Sequence, residues 1–177
     1  VQSTGTGLNA SITFKENSKV DSLALTTRLA SDGMLRLSMF KQVDTGFHIF
    51  DGVLLNFDEE YSNSYDDMDA VKINNNSENL SVSSAGKSLS IERRTYPKSG
   101  DFIQLGIAQM RLANYKLVIE PVRLDAMAGM EAYLEDTYQQ TRTPISLSDN
   151  SEYVFDINTD AASYQSERFR IIFAGRE

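Results

Sequence analysis

The chain has 177 residues, of which 41% are hydrophobic and 24% charged, and its net charge is -8. This composition predicts a soluble domain with a full core, and no segment reaches the apolar run of about 18 residues that a membrane helix needs. The basic residues are scattered, which argues against nucleic acid and anionic membranes as partners. Because there is no cysteine, disulfides and thiolate metal sites are excluded.

The beginning of the chain predicts a flexible end followed by strands. Val1 is not a Met and no signal-peptide pattern follows, so we expect either a removed leader or a piece cut from a longer protein. Residues 1–9 are the predicted flexible end of a single domain over residues 1–177. The next apolar segments, SITFK, SLALTTRLA, MLRLSMF and HIFDGVLLNF, predict strands. Asp32-Gly33 lies between the second and the third and predicts a hairpin.

Further along, alternation of apolar and polar residues predicts half-buried antiparallel strands. Leu80-Val82 and Leu89-Ile91 predict a short strand pair around SSAGKS. Four later segments each place three apolar side chains on one face: Ile103, Leu105 and Ile107; Tyr115, Leu117 and Ile119; Tyr153, Phe155 and Ile157; Phe169, Ile171 and Phe173. Beside the last set, Arg168 and Arg170 are predicted to face water.

One segment, LDAMAGMEAYLEDTY, also has a helical period. Gly129 in its middle disfavours a helix by roughly 1 kcal/mol relative to Ala. We therefore predict at most one short helical turn, followed by a strand at EAYLED. With roughly a dozen short strands and no long helix, the predicted fold is an all-β, antiparallel β-sandwich of jelly-roll or immunoglobulin-like type.

The run from Asp58 to Asp69 holds six carboxylates in twelve residues: Asp58, Glu59, Glu60, Asp66, Asp67 and Asp69. Such a loop can supply the oxygen ligands of Ca²⁺. The candidate calcium ligands are Asp66, Asp67, Asp69 and Asn63, with the Asn74-Asn75-Asn76 run beside them. The spacing does not fit an EF-hand. The alternative is a solvated turn whose Asp side chains cap backbone amides.

The remaining candidates are aromatic residues and the single histidine. Exposed tyrosine rings can form a carbohydrate platform, and the candidate glycan ligands are Tyr61, Tyr65, Tyr133 and Tyr138, with Tyr164 as a further ring. The alternative is that these rings are half buried at strand ends. His48 cannot by itself form a multi-histidine metal site, and no G-x-S-x-G motif accompanies it. We predict that His48 is a strand residue facing solvent or a polar neighbour, and identify no catalytic residue and no certain cofactor.

The order of segments from about Phe57 to Phe173 resembles a known family. The segments are Phe57 leading into Tyr65-Asp66, then DAVKI, SLSIERR, IQLGI, NYKLVIE, AYLEDTY, EYVFDI and ERFRIIF. In these the chain is similar to the β-sandwich domain that precedes the type IX secretion sorting domain in secreted and cell-surface proteins of Bacteroidetes, among them adhesins and gliding-associated proteins. Residues 1–50 match less clearly, and no sorting domain follows Glu177, so the resemblance implies a domain excised from a longer protein.

The resemblance implies an accessory module that is secreted or exposed at the cell surface. Its expected partners are neighbouring domains of the same polypeptide, with a surface glycan or another cell-surface protein as further candidates. We therefore expect a non-catalytic structural or adhesive module. A calcium-dependent carbohydrate-binding module and, behind it, a hydrolase domain that uses the acidic cluster remain the alternatives.

Overall fold

The computed structural model describes residues 32–44 and 46–175, which belong to one compact all-β unit. The strands of this part of the chain are Gly33–Val43 (β1), Gly46–Phe57 (β2), Ala70–Val71 (β3), Asn79–Ser84 (β4), Lys87–Arg94 (β5), Phe102–Ala108 (β6), Ala113–Val122 (β7), Met130–Asp136 (β8), Thr141–Ile145 (β9), Ser151–Ile157 (β10) and Phe169–Gly175 (β11). The predicted flexible end at 1–9 and the predicted strands SITFK and SLALTTRLA lie outside the described residues.

The strands form one sheet, in the order β10-β7-β1-β2-β5-β4-β6-β11-β8-β9, and β3 pairs with β5. The sheet is nearly closed into a barrel, and the predicted β-sandwich is not confirmed. Neighbouring strands are antiparallel except for β2 and β5, which run parallel. The prediction that all neighbouring strands are antiparallel is wrong at this pair. The strand that pairs antiparallel with β5 as a hairpin is β4, and β5 then lies beside β2 in the same direction.

The core lies on the inner face of the sheet, as the alternation predicted. The apolar sets of β6, β7 and β11 are at most 1% exposed, and Phe155 and Ile157 of β10 are buried with them. Burial of one such side chain stabilises the fold by about 1.5–3 kcal/mol. The strand pair around SSAGKS is also confirmed, as the β4–β5 hairpin.

The first arm of the hairpin predicted at Asp32-Gly33 lies outside the described residues, so this hairpin stays a prediction. Gly33 is the first residue of β1, opposite Phe57, and β1 pairs with β2 on one edge and β7 on the other. A larger residue at Gly33 would be crowded, because a Cβ would come within 2.9 Å of Leu124 Cδ2 and 3.1 Å of the Arg123 carbonyl oxygen.

The segment after β7 folds as the sequence predicted. A single 3-10 turn spans Asp125–Met127, and β8 begins at Met130. Gly129 has φ = +90°, a backbone conformation that glycine adopts without strain. A second 3-10 turn, Ala161–Tyr164, links β10 to β11, so the prediction of at most one short helical turn is wrong for the fold as a whole. Within residues 32–44 and 46–175, no helix has the length and apolarity needed to cross a bilayer.

Candidate functional site

The acidic loop between β2 and β3 is organised by hydrogen bonds from backbone amides. Asp69 accepts from the Arg93 amide at 2.8 Å through Oδ1 and from the Asp66 amide at 3.1 Å through Oδ2. Asp66 in turn accepts from the Met68 amide at 2.7 Å. These bonds satisfy backbone donors and tie the loop to β5, which is what the capping alternative predicted.

The other two candidate calcium ligands lie at the surface. Asn63 Oδ1 accepts from the Thr95 amide at 3.1 Å and from its hydroxyl at 2.9 Å, and Asp67 is exposed. Among the described residues, no group of three or more His, Asp and Glu side chains is arranged to hold a metal ion. Calcium binding by Asp66, Asp67, Asp69 and Asn63 stays a prediction.

Two candidate tyrosines flank the acidic loop. The Tyr61 hydroxyl donates to Asp32 Oδ2 at 2.5 Å, and its ring lies 5.9 Å from the Arg93 guanidinium. Burial and the hydrogen bond to Asp32 raise the pKa of Tyr61 to about 12. Tyr65 lies under the Lys87 ammonium at 4.7 Å. Both rings are thus held by neighbouring polar groups.

The other tyrosines have different surroundings. Tyr133 on β8 donates to Glu131 Oε2 at 2.6 Å, and this hydrogen bond raises the pKa of Tyr133. Tyr138 stacks on the Arg168 guanidinium at 4.8 Å, and Tyr164 is exposed in the second 3-10 turn. The rings therefore stand in separate environments, and their role as glycan ligands stays a prediction. His48 is exposed on β2, as predicted.

Arg168 and Asp136 form the most deeply buried ion pair of the described unit. Arg168 Nε and Nη2 donate to Asp136 Oδ1 and Oδ2 at 2.9 and 2.7 Å, and both side chains are 0% exposed. The prediction that Arg168 faces water is wrong. Arg168 precedes β11 and lies in a turn, with its amide bonded to the Gln165 carbonyl, so the strand alternation does not apply to it.

The surroundings of Arg168 satisfy its remaining donors. Its Nη1 donates to the carbonyl oxygens of Asp156 and Ser163 at 2.9 and 2.7 Å, and its guanidinium lies about 5 Å from the rings of Phe155 and Phe169. Tyr153 on β10 donates to Asp136 at 2.9 Å. The pair therefore links the last residue of β8 to β10 and to the turn that precedes β11.

Electrostatics keep the Asp136 carboxylate ionised. Burial opposes its ionisation, but the hydrogen bonds from Arg168 and from the Gln139 amide, together with the Arg168 charge, lower its pKa. Signals for this pair are present in the sequence. Asp136 continues the inner-face series of Ala132 and Leu134, and an acid in such a series requires a buried partner.

A second buried carboxylate immediately precedes β4 and bonds to side chains of β1 and β7. Glu78 is 0% exposed, and its Oε1 accepts from Lys41 Nζ at 2.7 Å and from the Tyr115 hydroxyl at 3.1 Å. Its Oε2 has no hydrogen-bond partner within the described part of the chain. Burial opposes ionisation of Glu78, but the pKa of Glu78 is lowered overall, and the hydrogen bond from Lys41 is the largest of the interactions that lower it.

A third internal pair joins Lys72 to Asp51. Lys72 Nζ donates to Asp51 Oδ1 at 2.6 Å, and Asp51 Oδ2 also accepts from the Leu80 amide at 2.7 Å. The pair ties the segment after β3 to β2 and to the start of β4. Lys72 therefore neutralises a carboxylate on β2.

The fold and these contacts define an all-β module in which Asp136, Glu78 and Asp51 are paired internally with Arg168, Lys41 and Lys72. Comparisons with models of known families, with curated proteins and with solved structures return no match. The resemblance to the domain that precedes the type IX sorting domain stays a prediction.

Proposed function

We propose that the described unit is a non-catalytic structural or adhesive module of an exported bacterial cell-surface protein. The main support is the use of buried charge: Arg168–Asp136, Lys41–Glu78 and Lys72–Asp51 each join segments that are distant along the chain. Removing one partner from such a pair leaves an uncompensated charge, so the pairs favour a single packed arrangement. The secreted or cell-surface setting rests on the resemblance of the segments from Phe57 to Phe173.

The direction of the pKa shifts favours this proposal over a hydrolase. A glycosidase needs one carboxyl with a raised pKa as its general acid. Within residues 32–44 and 46–175, the carboxyls with a shifted pKa are Glu78, Glu135 and Asp136. Their pKa is lowered, and for Glu135 the leading cause is the hydrogen bond from Arg170. These groups are ionised at neutral pH and act as partners of cations.

As part of the same proposal, the nearly closed sheet is flattened so that its two halves pack as the layers of a β-sandwich. The support is the contact of Phe155 on β10 with Phe169 on β11, whose ring centroids are 4.8 Å apart, although these strands are well separated in the sheet order. A crystal structure that gives the angle and spacing between the two halves tests this arrangement.

A mechanical measurement tests the structural role. The chain is placed between two reference domains and pulled from both ends by force spectroscopy, and Arg168→Met is compared with Arg142→Met, whose side chain is 63% exposed. We expect one cooperative unfolding event for the described unit and a lower unfolding force for Arg168→Met only. Equal forces for both variants, or hydrolysis of aryl glycosides or esters above the buffer rate, would overturn the proposal.

A further inference from the structure

The parallel contact between β2 and β5 differs from the other strand contacts of the described sheet. It covers four residue pairs, from Leu54–Ile91 to Phe57–Arg94, whereas β1 and β2 are paired over eleven. Parallel pairing is slightly less stable per residue than antiparallel pairing. In the sheet order this contact, which we call the β2–β5 seam, joins β10-β7-β1-β2 to the remaining strands.

Buried polar atoms without a hydrogen-bond partner are concentrated at the β2–β5 seam. Among residues 32–44 and 46–175 there are five such side-chain atoms, and four belong to the seam: Asn56 Oδ1, Glu92 Oε2, Arg93 Nε and Arg94 Nε. Asn56 lies opposite Arg93, and Asn56 and Glu92 are 2% and 4% exposed. Arg94 Nη1 lies 3.6 Å from Glu92 Oε2, which is too long for a hydrogen bond. Polar atoms that are neither hydrated nor paired destabilise the closed seam.

The contact between β6 and β11 shows that a short pairing does not by itself leave such atoms. It covers three residue pairs, fewer than the seam. Backbone bonds extend it, from the Gly100 amide to the Phe173 carbonyl oxygen and from the Phe173 amide to the Asp101 carbonyl oxygen, each at 2.9 Å. Gln104 Nε2 donates to the Phe169 carbonyl oxygen at 2.8 Å. None of the five unpartnered atoms of the described residues belongs to β6 or β11.

The acidic loop braces the closed seam at one end. Asp69 Oδ1 accepts from the Arg93 amide at 2.8 Å, and the Asp58 amide donates to the Arg94 carbonyl oxygen at 3.2 Å. These two bonds satisfy backbone groups and leave the four side-chain atoms of the seam unpaired. Separation of β2 from β5 lets water reach those atoms, and their hydration offsets part of the free energy that is lost with the backbone bonds.

We propose that β2 and β5 separate along the seam in a local opening, while the antiparallel contacts on both sides stay closed. The opening costs less free energy here than at a contact whose polar groups are all paired, and local openings of this kind take place within a folded protein. It exposes the edges of two strands that the closed sheet keeps covered. The inference goes beyond the proposed structural role and does not depend on it.

The test is amide-resolved hydrogen exchange of the whole chain, followed by NMR at neutral pH. Alternate amides of residues 54–57 point to β1 and to β5, because β2 is paired on both edges there. We expect the amides that point to β5 to exchange at least tenfold faster than those that point to β1. Equal rates for the two sets would overturn the proposal, since both belong to the same strand and differ only in the contact they report.

Two buried asparagines provide matched variants. Asn56→Leu removes an unpartnered acceptor and should slow exchange of the amides that point to β5 severalfold. The control is Asn79→Leu on β4, where Asn79 is 3% exposed but accepts from the Asn75 amide at 2.7 Å and donates to the Ser77 carbonyl oxygen at 2.6 Å. Asn79→Leu should not slow exchange at the seam.

Unchanged or faster exchange in a folded Asn56→Leu variant would overturn the proposal, and so would equal slowing by both variants. The amide spectrum shows whether each variant folds. If Asn56→Leu does not fold, the comparison of the two sets of β2 amides in the unchanged protein decides the outcome.

Discussion

The guanidinium of Arg168 and the carboxylate of Asp136 meet in a two-point contact of 2.9 and 2.7 Å, with no exposure of either side chain. Asp136 ends β8, and Arg168 immediately precedes β11. Tyr153 of β10, at one end of the sheet order, also bonds to Asp136. This polar group therefore lies where the two ends of the sheet approach each other, in surroundings where a lost partner is costly.

Arg168→Met is expected to destabilise the unit by about 3–5 kcal/mol, because it leaves the Asp136 carboxylate buried without its cation. The free energy of unfolding is measured by urea denaturation followed by circular dichroism. Arg142→Met is the control and should change the free energy of unfolding by less than about 1 kcal/mol, because the Arg142 side chain that pairs with Glu135 is 63% exposed. The double variant Arg168→Met/Asp136→Leu should recover part of the loss. Similar losses for Arg168→Met and Arg142→Met would contradict the structural role of the pair.

Acid should destabilise the unit. Asp136, Glu78 and Glu135 have folded-state pKa values below their ordinary values of 3.8, 4.5 and 4.5. At a pH between the folded-state pKa and the ordinary pKa, the unfolded chain binds more protons than the folded chain. The stabilisation by these three carboxylates is therefore present above about pH 4.5 and is lost as the pH falls through the ordinary pKa and then the folded-state pKa. The urea midpoint in 0.15 M salt, measured from pH 7 down to pH 3, checks this. A midpoint that rises on acidification would show that these carboxylates are not stabilised by their partners.

Asp69→Ala is expected to destabilise the unit by about 1–2 kcal/mol, because the amides of Arg93 and Asp66 lose their acceptor. The matched control is Asp67→Ala in the same loop, where the side chain is exposed and the change should stay within about 0.5 kcal/mol. Thermal melts of both variants in EDTA give the comparison without any contribution from a metal. Equal melting temperatures for the two variants would mean that the Asp69 bonds do not hold the loop.

Calcium is expected to change the melting temperature little, because Asp66, Asp69 and Asn63 already accept from backbone amides. A ligand at about 100 times its Kd adds about 2.7 kcal/mol to the stability of the folded state, which amounts to a shift of several degrees. Melts with Ca²⁺ and with EDTA, each with added NaCl, make the test. A shift of that size that survives NaCl and disappears in Asp66→Asn/Asp69→Asn would establish the acidic loop as a calcium site.

The sequence determined the local elements wherever one side of a strand is apolar. The period of two in FIQLGIA, NYKLVIE and RFRIIF follows from side chains that alternate across the sheet, so the buried faces could be predicted without knowing the neighbouring strands. The short turn at Asp125–Met127 and the strand after Gly129 could be predicted for a similar reason, since glycine disfavours a longer helix there. For the acidic loop, which has no such period, the sequence showed which residues carry carboxylates but not how their side chains are arranged.

The tertiary structure alone decided which strands are neighbours and where the charges lie. Nothing local distinguishes Asp-Gly in a hairpin from Asp-Gly at the start of a central strand, and Gly33 is the first residue of β1, which pairs with both β2 and β7. Arg168 was assigned to the wet face because the alternation of β11 was extended to the residue before its first residue, Phe169. It is buried because Asp136, 32 residues earlier, supplies the opposite charge. Pairing across such distances depends on the whole sheet, and local periodicity carries no information about it.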